Sequence, residues 1–234
     1  MLHNGAVDEA LFEIPLWAEL LAVGVGALQG ALFAAYFKER HLDLLGVAII
    51  GVATGLGGGI LRDLVLSVQV ASFQSNWYLL VAVAAALVGM ALERIFTKLN
   101  TFIMVVDALN LGLFAAIGTT KAIALGLPVV PAAPVGVLTA VGGSILRDVL
   151  IMTPVELFKV APFYATAAIA GTTTLVGMSM LGANIGVAAG VCVLITFTLR
   201  VLAMIFKWSI PEQRRIERLP IPRRRPRQDG TPAV

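Results

Sequence analysis

Charge is what this sequence has least of. Of its 234 residues, 13% are Asp, Glu, Lys or Arg, about half the roughly 25% usual in soluble domains. With 59% hydrophobic residues and a mean hydropathy of +0.92, a soluble chain of this size could not hide its apolar surface. Cysteine is nearly absent. The single one, Cys192, excludes a disulfide within the chain and reads as a buried, inert thiol in an apolar run. The two histidines, His3 and His41, fall outside the apolar stretches, which argues against a metal site or a nucleophile–base pair. GLGGGI (Gly55–Ile60) is not followed by Lys-Ser/Thr, so it is no nucleotide-binding loop. Neither an enzyme nor a cofactor is expected. The N-terminal stretch MLHNGAVDEALFEIP lacks a basic region, so the first span is expected to act as its own targeting signal.

What is present is a series of long apolar stretches. A helix crosses the hydrocarbon with about 20 apolar residues. Seven windows qualify: Leu16–Phe37, Leu42–Leu66, Trp77–Ile95, Phe102–Leu125, Val129–Ile151, Val160–Leu181 and Ile185–Phe206. The expected fold is therefore all-α and integral to the membrane. Lysine and arginine alternate across the connections. Lys38 and Arg40 lie in the first loop, Arg94 and Lys98 around the third, and Lys159 in the fifth. Lys207, Arg214, Arg215, Arg218, Arg223, Arg224, Arg225 and Arg227 lie in the tail, while the second, fourth and sixth loops have none. This places the N-terminus outside and the C-terminus in the cytoplasm. Trp17 and Trp77 then sit at outer span ends and Trp208 at an inner one. The proline- and arginine-rich tail reads as a disordered anchor on anionic headgroups rather than a nucleic-acid-binding segment.

The chain also repeats itself. GGGILRDL (Gly57–Leu64) returns as GGSILRDV (Gly142–Val149) at an offset of 85, pairing Arg62 with Arg147 and Asp63 with Asp148. Upstream, GALQGALFAA (Gly26–Ala35) resembles GLFAAIGTTKA (Gly112–Ala122) at an offset of 88, which sets Glu19 on Asp107 and Gly30 on Gly118. Three spans per repeat is an odd number, so the second unit is inverted in the membrane. The organisation expected is an extracytoplasmic segment over 1–15, repeats over 16–96 and 101–182, a seventh helix over 184–207, and a basic tail over 208–234. Inverted repeats place a pathway at their interface, lined by interrupted helices.

A glycine in a helix interior costs about 1 kcal/mol relative to alanine. The triplets Gly57, Gly58, Gly59 and Gly142, Gly143, Ser144 are therefore expected to kink spans two and five around a wet passage. Close helix packing is the competing reading. Arg62 and Arg147 each carry an insertion cost of about 2.5–3.5 kcal/mol at mid-bilayer. The repeat suggests two equivalent pairs, Glu19–Arg62 and Asp107–Arg147, with Asp63 and Asp148 capping or neutralising a neighbour. Snorkelling of both arginines to the headgroups is the alternative. Lys121 takes the place of Phe33 in the first repeat and breaks the symmetry, either as a cation in the pathway or as a lysine reaching the outer surface. Gln29, Thr54, Asn110, Thr119, Thr120, Thr139 and Ser144 are further polar candidates for the pathway wall. The threonines have the alternative of bonding their own i−4 carbonyl.

The paired motifs GLGGGILRDL and AVGGSILRDV, with DLLGV (Asp43–Val47) before the first and DALNLGLFAAIGTTKA (Asp107–Ala122) before the second, resemble the prokaryotic trimeric intracellular cation (TRIC) channels. Bacterial members of that family are also labelled glycine transporters. The resemblance spans Leu16 to Phe206. It implies a homotrimer in which every subunit has its own hourglass pore between kinked helices two and five. That pore passes monovalent cations such as potassium and sodium, with no other metal bound. Lys121 matches the lysine associated with gating in the family, and Ser144 departs from the family's glycine. Such a protein belongs in the bacterial inner membrane. A carrier for glycine or another small amino acid is the alternative function.

Overall fold

The computed structural model describes residues 14–36, 42–93, 99–155, 164–206 and 208. They form seven helices: α1 (Leu16–Tyr36), α2 (Leu44–Val65), α3 (Asn76–Glu93), α4 (Leu99–Ala124), α5 (Val129–Leu150), α6 (Tyr164–Met180) and α7 (Ile185–Ile205). A short 3₁₀ turn, Ala71–Phe73, joins α2 to α3. Six of the seven are long and apolar enough to span a membrane, and α6 begins where the described residues resume. The basic residues that set the expected orientation (Lys38, Arg40, Arg94, Lys98, Lys159, Lys207 and the tail arginines) lie outside the described residues. So do His3, His41, most of the N-terminal segment, and the tail after Trp208.

The bundle inverts the logic of a soluble core. Leu79, Leu80, Leu87 and Val88 of α3 and Val187 and Leu194 of α7 point outward, whereas Glu19, Arg62, Asp63, Asp107, Arg147, Asp148 and Arg200 are buried. Charged groups in apolar surroundings persist only when turned inward and paired.

Two three-helix units, α1–α3 and α4–α6, meet along α2 against α5 and α1 against α4. Within the first unit α1 packs closely on both α2 and α3. In the second, α4 packs closely on α5, and α7 takes much of the remaining contact with α4 and α6. Small residues make these approaches possible. A Cβ on Gly55 would lie 2.6 Å from the Val23 carbonyl, and one on Gly112 would lie 2.9 Å from the Val193 carbonyl.

The repeat extends to the helix ends. α2 and α5 both finish in a Schellman-type turn with a left-handed, non-glycine residue, Ser67 (φ 55°) and Met152 (φ 56°). The closing bonds run from Val68 N to Asp63 O (3.0 Å) and from Thr153 N to Asp148 O (2.9 Å).

α2 and α5 stay helical through both glycine motifs, so neither is unwound there. The helix-breaking residue in α5 is Pro134, a turn and a half inside its start and well before the triplet.

Candidate functional site

The glycine triplets mark the crossing of α2 and α5, and their effect is proximity. A Cβ on Gly58 would lie 2.3 Å from the Thr139 carbonyl oxygen, and one on Gly143 would lie 2.3 Å from that of Thr54. Each threonine is also gripped from behind. Its hydroxyl would lie 2.3 Å from a Cβ on Gly30 in the case of Thr54, and 2.4 Å from one on Gly118 in the case of Thr139. With α2 and α5 in backbone contact, a leucine from each helix packs over the facing glycine. Leu146 Cδ1 lies 2.4 Å from a Cβ placed on Gly57, and Leu61 Cδ1 lies 2.8 Å from one on Gly142. The contacts made over these two glycines are apolar. Gly59 differs from its neighbours: a Cβ there meets only Arg62 Nη2, at 4.0 Å.

On either side of the crossing lies a buried charge cluster, one from each repeat. In the first, Arg62 Nη1 is 3.2 Å from Glu19 Oε1, and Arg62 Nε donates to Asp63 Oδ1 at 2.7 Å. The Tyr78 hydroxyl, from the start of α3, donates to Glu19 Oε2. Lys121 Nζ lies 3.0 Å from Asp63 Oδ1 and 3.9 Å from Glu19 Oε1, with its side chain 21% exposed. Asp63 also accepts from the Ala71 amide at 2.8 Å, so it both neutralises its neighbours and caps the α2–α3 connection. A cavity of about 20 Å³ lies among Glu19, Gly59, Arg62, Asp63, Ser72 and Tyr78, room for about one water.

The second cluster repeats the plan with new members. Arg147 Nη1 is 3.8 Å from Asp107 Oδ1, and Arg147 Nη2 is 2.7 Å from Asp148 Oδ1. Tyr164, at the start of α6, takes the place of Tyr78. Its hydroxyl donates to Ser144 Oγ at 2.8 Å, and Ser144 donates onward to the Val141 carbonyl at 2.8 Å. Ser144 stands where the first repeat has Gly59, so its hydroxyl supplies an acceptor that the first cluster lacks. Tyr164 is thereby held 3.5 Å from Asp107 Oδ1, while Gln29 Nε2 donates to that same oxygen at 3.1 Å. The Phe33 ring, the repeat mate of Lys121, lies 3.8 Å from the Arg147 guanidinium carbon. Arg200 of α7 completes the group, with Nη2 3.5 Å from Asp107 Oδ2 and its guanidinium over the Tyr164 ring at 4.6 Å.

The charged candidates read from the sequence therefore assemble into two separate sites. The neutral candidates divide. Gln29 and Ser144 join the second cluster. Thr54, Thr119 and Thr139 donate to carbonyls of their own helices, those of Ile50, Ala115 and Val135, at 2.6–2.9 Å. Thr120 lines an apolar groove beside Trp17 and α7. Asn110 is buried one turn beyond Asp107, against Gly26 of α1. Sequence reasoning missed Tyr78, Tyr164, Arg200 and the role of Phe33. Tyr78 and Tyr164 recur at an offset of 86, next to the 85 of the arginines. Arg200 is a lone charge in an apolar span, itself a signal of function. Among the described residues, no group of three His, Cys, Asp or Glu side chains could hold a metal ion.

The family model described as "Glycine transporter" matches residues 16–94 and 104–180, one stretch in each repeat. The UPF0126 membrane protein YvgT of Bacillus subtilis is 29% identical over 201 residues, covering 84% of this chain and 96% of that protein. The inner membrane protein YadS of Escherichia coli is 33% identical over 157 residues, covering 66% of this chain and 74% of its own length. The TRIC trimeric intracellular cation channel orthologue from Rhodobacter sphaeroides superimposes with a TM-score of 0.76 at 29% identity, covering 82% of this chain and 98% of the other. A second structure, described under "Structural basis for conductance through TRIC cation channels", gives a TM-score of 0.75 at 34% identity, covering 84% and 96%. None of these is described as an enzyme. Two inverted glycine-arginine-aspartate repeats with a seventh helix, matched along nearly their whole length, leave one assignment: the chain belongs to the membrane-protein family that carries the glycine transporter label and has the TRIC channel fold.

Proposed function

We propose that the protein is a channel for monovalent cations, potassium and sodium, built as a homotrimer with one hourglass pathway per subunit between α2 and α5. In this reading it sits in a bacterial inner membrane with its N-terminus outside. Its basic tail rests on anionic headgroups in the cytoplasm. The first cluster then guards the outer approach and the second the inner one. Opening is a bend or separation of α2 and α5 at the glycine triplets that lifts Leu61 and Leu146 off Gly142 and Gly57. The released wall of Thr54 and Thr139 carbonyls faces the ion.

The observation that carries this reading is the crossing itself. Glycine meets backbone where α2 and α5 touch, and Leu61 and Leu146 lie over the facing glycines. Every carboxylate beside it is already paired with a cation. A pore needs a constriction and polar groups without a deep binding site, and paired carboxylates attract a passing cation without trapping it. Similarity to solved cation channels supports the same conclusion.

The family's glycine label favours a second reading, a carrier for a small amino acid. Opposing charges in the first cluster suit a zwitterion. The cavity there, about 20 Å³, holds about one water, and glycine needs several times that. The larger grooves of about 360 and 730 Å³ are lined almost wholly by apolar side chains, such as Leu21, Leu113, Val88 and Phe102.

Purified protein in planar bilayers under a potassium gradient separates the two. Unitary currents reversing on the cation side uphold the channel. Silent bilayers together with saturable glycine uptake by liposomes overturn it in favour of the carrier.

A further inference from the structure

Arg200 is the only charge on α7, and among the described helices α7 is the one without a mate in the repeat. The side chain is nonetheless 3% exposed and joined to Asp107 and the Tyr164 ring. Its place becomes clear when the charges contributed by the repeat are set apart from those that are not. Each repeat brings two carboxylates and one arginine: Glu19, Asp63 and Arg62 in the first, Asp107, Asp148 and Arg147 in the second. Each cluster would by itself carry one net negative charge. Each is completed by a cation from outside the repeated set, Lys121 in the first and Arg200 in the second.

The two completing cations are held differently. Lys121 is an ammonium on a flexible stem, partly exposed, between two carboxylates. Arg200 is a planar guanidinium with one nitrogen on Asp107 Oδ2 and its face on Tyr164, whose hydroxyl is fixed by Ser144. Guanidinium favours such stacked, buried pairing, and its charge is not lost by deprotonation. The position corresponding to Lys121 near the second cluster is Phe33, which offers Arg147 a ring face and no charge. The charge missing from the first helix at this end is supplied by the seventh.

We infer that Arg200 is a built-in counter-cation that occupies, beside Asp107, the place a permeant cation would otherwise hold, and so sets the cation affinity of the α5 end of the pathway. It is a positioning residue that acts through Asp107. The inference rests on the channel reading for its consequence in current, while the occupancy itself does not depend on conduction.

The test compares Arg200→Gln, Arg200→Lys and the charge-neutral pair Asp107→Asn with Arg200→Gln. In bilayers, Arg200→Gln should lower the half-saturating potassium concentration for current about tenfold or more. Arg200→Lys and the neutral pair should return to the wild-type value. The neutral pair would also relieve a purely structural ion pair, so the readout that separates the two roles is specific to potassium. The same sign is read without current. Potassium chloride, compared with choline chloride at equal ionic strength, should raise the melting temperature of Arg200→Gln through binding to the folded state. It should leave the wild type and the neutral pair unmoved. An unshifted half-saturation in Arg200→Gln, an absence of the potassium-specific melting shift, or a neutral pair that fails to fold each overturns the inference. A wild-type protein that carries no current refutes the channel reading instead, and the melting comparison still decides the role of Arg200.

Discussion

Three adjacent glycines in α2 provide a sharp test of how the crossing is built, because the geometry assigns each a different outcome on replacement by alanine. At Gly58 the new methyl would lie 2.3 Å from the Thr139 carbonyl oxygen. The obstacle is backbone, and it cannot rotate away. The two helices would have to separate by about 1 Å to restore an ordinary contact. Overpacking of this kind costs about 1–3 kcal/mol, and each kcal/mol lowers the melting temperature of a domain this size by about 2–4 °C. At Gly57 the obstacle is the tip of Leu146, which a rotamer change relieves, so the loss should be smaller. At Gly59 the space is open, and alanine should be neutral or add up to about 1 kcal/mol through helix propensity. The assay is thermal unfolding of the three purified variants in one detergent. The expected stability order is Gly59→Ala at or above wild type, then Gly57→Ala, then Gly58→Ala lowest. If the glycines served flexibility alone, all three alanines would stiffen the helix and raise stability together. A Gly58→Ala protein melting at or above wild type would refute the close-contact account.

Two further outcomes follow from the first cluster. In a double-mutant cycle of Glu19→Gln and Arg62→Gln, the coupling read from unfolding should be about 0.5–3 kcal/mol, since the pair is buried at 3.2 Å; a value near zero would mean that Asp63 alone satisfies Arg62. Lys121→Gln removes the one partly exposed cation of that cluster. It should change the voltage dependence of open probability, because a full charge crossing the membrane field is worth about 2.3 kcal/mol per 100 mV. Unchanged gating curves would make Lys121 a purely structural partner of Asp63.

Much of this arrangement is legible in the amino-acid order. Apolar length alone locates the seven helices to within a few residues at most of the described ends. The repeat offsets bring Glu19 to Arg62 and Asp107 to Arg147, because symmetry turns one motif into a depth assignment for its partner. What was not legible depends on contacts between helices. Three consecutive glycines weaken an isolated helix, so the sequence suggests a break. In the bundle the same residues let α2 and α5 touch, and the hydrogen-bonded helix persists through them. Ser144 could be seen to differ from its mate Gly59. That its hydroxyl shares the Tyr164 hydroxyl with Asp107 required the position of α6. Ser67 and Met152 end their helices in the left-handed region without a glycine to announce it. Arg200 could be seen as an isolated charge, but its partner lies on α4, far along the chain and outside any repeat relation.

The central claim is that Leu61 and Leu146 are the plug of a cation pathway at the α2–α5 crossing. Unitary potassium currents from the Leu61→Ser, Leu146→Ser double variant test it most directly, since a hydroxyl in each position removes the apolar seal without adding charge or bulk. The account predicts a severalfold higher open probability with cation selectivity retained. Open probability equal to wild type in a folded, conducting double variant would contradict it.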